Sequence, residues 1–268
     1  MSKTALIIFV GAALLFSAPA FAIDGQILIN QSTVLAAGGF PYKITQPGSY
    51  KLSGNLIVPN ADTNGIVISA DYVTLDLNGF SIAGPVTCTP FTFPVQCSTS
   101  GTGVGILSPN QGTTVINGTV RGMGAVGIDL GNNSSLVQGI HADSNGSAGG
   151  AGLLVFSGIV THCTAAVNAG SGIASVDAVV SFNDVRLNGG RGIQGGSIVN
   201  NNVAINNGED GIINPALAVN NVLEGNIGFG LNMLGGNGYM GNVMNANSAG
   251  TVNGGKSLGQ NMCNGASC

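Results

Sequence analysis

Residues 172–213 read GIASVDAVVSFNDVRLNGGRGIQGGSIVNNNVAINNGEDGII, and the phase of this stretch decides the fold. A Gly-aliphatic pair opens it at Gly172-Ile173, returns at Gly192-Ile193 and closes it at Gly211-Ile212. Second apolar runs, Val179-Val180 and Ile198-Val199, lie between the pairs. Asn183 and Asn202 each stand nine residues before a pair, and Asn188 and Asn207 stand four before one. Short apolar runs at a fixed period, separated by Gly and Asn, describe a repeated unit of short strands and tight corners.

Working outward, the pairs continue at Gly65-Ile66, Gly105-Ile106, Gly127-Ile128, Gly152-Leu153 and Gly230-Leu231. The intervals from Gly152 are 20, 20, 19 and 19, and the earlier ones are 40, 22 and 25. The 40 is one unit lengthened by an insertion at 84–101. Asn221 joins the first asparagine series, and Asn168 and Asn226 join the second. Stacked amides at equivalent bends can form hydrogen-bonded columns, and Asn tolerates left-handed backbone at a corner. A unit of about twenty residues cannot bury its apolar side alone, so successive units must stack. The expectation is an all-β, single-stranded parallel β-helix of about 8–10 coils.

Composition agrees. The 268 residues include 45 Gly and no Trp, and only 7% are charged, which argues against disorder. A net charge of −4 with scattered basic residues gives no footprint for nucleic acid.

The N-terminus reads as a secretory signal: Lys3, the twelve-residue apolar run Ala5 to Phe16, and the small-residue site Ala20-Phe21-Ala22. Such a run is too short for a bilayer core, which needs about 20 residues. The mature chain is expected to start at Ile23, with no transmembrane segment, in the periplasm or outside the cell. The chain divides into a signal peptide (1–22), a cap and first coils (23–63), the β-helix (64–250) and a C-terminal cap or tail (251–268). In an oxidising compartment Cys88 with Cys97, and Cys263 with Cys268, form local disulfides. Cys163 is left over and reads as a small buried hydrophobe in an apolar repeat position.

Two further stretches carry a likeness. Tyr42 to Leu52 (YKITQPGSYKL) and Tyr72 to Ile82 (YVTLDLNGFSI) resemble segments early in the pectate-lyase-like, right-handed β-helix superfamily, and the resemblance runs roughly from residue 40 to 250. It implies a right-handed winding. It says little of activity, because the superfamily mixes lyases, hydrolases, epimerases and non-catalytic members. Asp76 and Asn78 read as an early inter-rung cap.

If the residue after each Gly points inward, the next points outward. That outward ladder is Val67, Leu107, Asp129, Leu154, Ala174, Gln194, Ile213 and Asn232, with one carboxylate. Glycoside hydrolysis usually needs two, and metal-assisted elimination needs clustered acidic ligands. No metal or cofactor is expected. Arg121, His141, Asp143 and His162 fall in neighbouring units and are the candidates for a base with a neutralising cation. Asp184, Arg186, Arg191, Glu209 and Asp210 read as one solvated ion-pair cluster. Of polygalacturonase signatures only Gly139-Ile140-His141 is partly similar, and the epimerase signature Asp-Pro-His-Asp is missing. The reading is a non-catalytic exported β-helix serving surface structure, adhesion or glycan binding, its partner a polysaccharide or cell-surface component. The alternative is a lyase or epimerase acting on an acidic glycan. The repeat specifies no oligomeric state.

Overall fold

The computed structural model describes residues 25–90, 95–98, 100–131, 134–146 and 149–268. The proposed signal peptide therefore lies outside the described residues. The rest is a right-handed parallel β-helix. One coil shows the plan: Ser171–Ser175 lies in a ten-stranded sheet, and Val179–Ser181 and Asp184–Arg186 follow in a larger sheet. Every neighbour in the ten-stranded sheet pairs in parallel, from Tyr42–Ile44 to Gly250–Asn253. Ile66 is the register partner of Ile106, so the 40-residue interval is a single coil from which the insertion emerges.

The inward phase follows the Gly-aliphatic pairs. Ile106, Ile128, Leu153, Ile173, Ile193, Ile212 and Leu231 stack as register partners, each fully buried. The preceding glycine is dictated by close approach of coils. A Cβ at Gly192 would lie 2.5 Å from the carbonyl oxygen of Gly211, and one at Gly105 would lie 2.5 Å from that of Gly127.

Two asparagine columns run inside the corners. Asn168, Asn188, Asn207 and Asn226 form one; Asn183, Asn202, Asn221 and Asn242 form the other. Asn188 is representative: its Nδ2 donates to Asn207 Oδ1 and to Ala165 O, each at 3.0 Å. Its Oδ1 accepts from the Asn168 backbone N–H at 3.1 Å and from Asn168 Nδ2 at 2.9 Å. All of the amide's donor and acceptor roles are met without water.

The column asparagines are not themselves the left-handed residues, contrary to the simple reading of Asn as the corner former. The left-handed position is one residue earlier: Val167 (φ 55°), Phe182 (φ 58°), Leu187 (φ 55°) and Asn201 (φ 55°). Left-handed backbone is costly for a β-branched residue such as Val167. The ladder bonds of Asn168, immediately after it, offset that cost.

Cys163 is a small buried residue of the core with a free thiol, as expected, and in register it heads the Asn183 column: its N–H donates to Asn183 Oδ1 at 2.9 Å. Its thiol contacts Thr161 O at 3.2 Å, and burial pushes its pKa up to about 11.

The ends are closed by different devices. Gln31–Ala36 is a one-and-a-half-turn helix capped by Asn30, whose side chain accepts from Thr33 N–H at 3.1 Å. At the other end Met262–Cys263 and Ala266–Ser267 make an antiparallel hairpin joined by the Cys263–Cys268 disulfide.

Candidate functional site

The expected charged cluster divides between two faces. Arg186 pairs with Asp184 on the outer face of the larger sheet. Arg191 and Glu209 lie beyond the bend at Leu187, against the outer face of the ten-stranded sheet. Only four residues separate Arg186 from Arg191, yet the bend puts them against different sheets.

On the ten-stranded sheet the outward ladder forms a cleft of about 270 Å³. Leu154 and Ala174 line its floor, and Arg191, Gln194 and Glu209 border it. Arg191 Nη1 donates to Gln194 Oε1 at 3.1 Å. Arg191 Nε lies 3.1 Å from Glu209 Oε2, an ion pair whose angle falls outside hydrogen-bond geometry. The nearby Asp210 is turned to structure: its carboxylate accepts from Phe229 N–H at 2.7 Å and Asn232 Nδ2 at 2.9 Å. Farther up the ladder, Asp129 sits between its register partners Leu107 and Leu154, and desolvation raises its pKa.

The second cleft, about 250 Å³, lies where the insertion leaves the larger sheet. Arg121 and Asp143 are register partners on adjacent coils and both line it. Its other wall is Val86, Thr87 and Cys88, at the base of a hairpin in which Cys88 is disulfide-bonded to Cys97. His141 stands two residues before Asp143 on the same strand, exposed on the same face, between its register partners Thr119 and Thr164. Ser144 Oγ donates to Asp143 Oδ2 at 3.2 Å. Burial raises the Asp143 pKa, opposed by that hydrogen bond and by the charges of Arg121 and His141.

The structure thus brings Arg121, His141 and Asp143 to one face and leaves His162 apart. His162 occupies the left-handed corner of the next coil (φ 54°), where its ring stacks on Phe182 at 5.3 Å. The register partner of Asp143 on that coil is Ala166, four residues beyond His162. Sequence reasoning missed the Arg191, Gln194 and Glu209 grouping as a site. The signal was available, because Gln194 is a ladder position and Arg191 immediately precedes a Gly-aliphatic pair.

Among the described residues no three His, Cys, Asp or Glu side chains gather to hold a metal ion, and no helix is long and apolar enough to cross a membrane.

No family model matches the sequence, and no curated protein matches it. Two solved structures are similar in part. The periplasmic alginate epimerase AlgG is 14% identical with a TM-score of 0.44, over 78% of this chain and 65% of that one. The Dettilon tailspike protein gp208 is 17% identical with a TM-score of 0.38, over 81% of this chain and 45% of that one. The chain thus spans less than two thirds of the length of either.

Proposed function

We propose that this chain is an exported, non-catalytic β-helix that binds a polysaccharide along the outer face of its ten-stranded sheet. The observation that carries the reading is the cleft in which Arg191, Gln194 and Glu209 border a floor of Leu154 and Ala174. Planar guanidinium, amide and carboxylate groups offer donors and acceptors to sugar hydroxyls, and an apolar floor suits the C–H faces of a pyranose. Two disulfides in a chain with a signal-like N-terminus support export. The test is retention on immobilised polysaccharides, with binding lowered at least tenfold in Arg191→Ala and no change in polymer length after incubation. A retained affinity in Arg191→Ala and Glu209→Gln together refutes the location.

A second reading, a lyase or epimerase acting on an acidic glycan, is favoured by Arg121, His141 and Asp143 sharing one face. It requires unsaturated uronate absorbance or altered uronate stereochemistry on incubation with acidic polymers, abolished in His141→Ala.

A further inference from the structure

We infer that the cleft between the Cys88–Cys97 hairpin and the larger sheet is a second binding site, one that recognises an anionic substituent, carboxylate or sulfate ester, through Arg121. Among the described residues Lys51, Arg186 and Arg191 have a carboxylate within 4.0 Å, and Lys43, Lys256 and Arg121 do not; Arg121 is the one guanidinium of those three. This holds although Asp143 is its register partner and eleven Asp and Glu residues are available in the chain. Asp143 instead accepts from Ser144. The guanidinium therefore keeps its planar fork of donors for a ligand, the geometry that matches a two-oxygen anion.

The surroundings suit such a group. Strand pairing sets Arg121 one coil, about 4.8 Å, from Asp143. His141 is on the same outer face, two residues before Asp143 and outside the cleft lining, between its register partners Thr119 and Thr164. The hairpin that forms the opposing wall is cross-linked within itself by the Cys88–Cys97 bond. Val95 on the same hairpin is buried and anchors it: a Cβ at Gly189 would approach the Val95 Cβ to 3.2 Å. The hairpin is thus cross-linked at its base and packed against the solenoid at Val95. Asp143 on the neighbouring coil disfavours a ligand that would bring two anionic groups into the cleft.

The inference stands apart from the cleft at Arg191, and the experiment separates them. The full chain is titrated with glucose, glucuronic acid and glucose 6-sulfate, followed by NMR. Both anions are expected to bind at least tenfold more tightly than glucose, the tighter one identifying the substituent. Arg121→Ala should remove that preference and Arg121→Lys restore part of it, with circular dichroism unchanged in both. Equal affinity for the three sugars, or a preference that survives Arg121→Ala, overturns the inference. A preference lost in Arg191→Ala but kept in Arg121→Ala assigns the anion to the other cleft and also overturns it. Loss of polymer retention in Arg191→Ala, with the anion preference intact, supports both sites independently.

Discussion

Asn183 reaches Asn202 twice: its backbone N–H and its Nδ2 both donate to Asn202 Oδ1, each at 3.0 Å. Asn202 repeats the arrangement toward Asn221, donating from its backbone at 3.0 Å and from its amide at 3.1 Å. One buried oxygen therefore serves two donors on the coil before it, and the chain of amides is continuous. Removing one member leaves groups on both neighbours without partners.

Asn202→Ala is accordingly expected to cost about 3 kcal/mol or more, since each buried polar group left unsatisfied costs about 1–3 kcal/mol. Asn202→Asp keeps the acceptor but loses the Nδ2 contacts to Val180 O, Asn200 O and Asn221 Oδ1 and buries a charge, and should be worse at neutral pH. Urea titrations of the two variants against the parent chain check the order.

The register can be tested at adjacent positions. Ile193 is fully buried and Gln194 is exposed. Ile193→Asp should cost several kcal/mol, about 3–5 on the scale of an uncompensated buried charge. Gln194→Asp should stay within about 0.5 kcal/mol. Equal losses in paired thermal melts would contradict the inward stack.

Asp129 makes a pH prediction. Its folded-state pKa is raised by desolvation. The folded state therefore holds that proton to higher pH than the unfolded chain, and stability declines as pH rises from the unfolded value near 4 through the folded one. Asp129→Asn should flatten that decline and raise the melting temperature at pH 7. A wild-type and variant pair with parallel melting profiles between pH 4 and 7 would rule this out.

Cys163, with its pKa near 11, is expected to be inert. At pH 8 only about one thiol in a thousand is ionised, and access is closed. A thiol-reactive chromophore should label it only after denaturation. Replacement of the disulfide in Cys88→Ala/Cys97→Ala should leave the solenoid intact, costing less than the 2–5 kcal/mol typical of small disulfide-dependent domains. Limited proteolysis should then cut within 84–101 first.

Much of this architecture was readable because the period is carried by residues with a strict physical duty. Gly192 avoids a carbonyl of the next coil, and Asn188 fills every hydrogen-bonding role in its column. What could not be read depends on where each bend restarts the in-out alternation. The left-handed positions include Asn201, Asn206 and Asn220 but also Val167, Phe182 and Leu187, so composition marks the bends only in part. Hence Arg186 and Arg191 read as neighbours although they serve different faces, and His162 read as a companion of His141 although it turns onto Phe182. Cys163 is buried in the core as read, but nothing in its own identity reports that Asn183 accepts from its backbone.

The Val95 to Gly189 contact has a mechanical consequence. The insertion leaves after Ser81–Ala83, and Gly189 follows Asp184–Arg186, four strand pairings farther along the larger sheet. At about 4.8 Å each, the hairpin reaches about 19 Å along the axis. Ordinary coils touch only those above and below, so a solenoid under torque yields by small rotations that add from coil to coil. A brace that ties the first to the last of these coils opposes that accumulated rotation. Torsional compliance in this stretch should therefore be lower than in the coils beyond Asp184–Arg186.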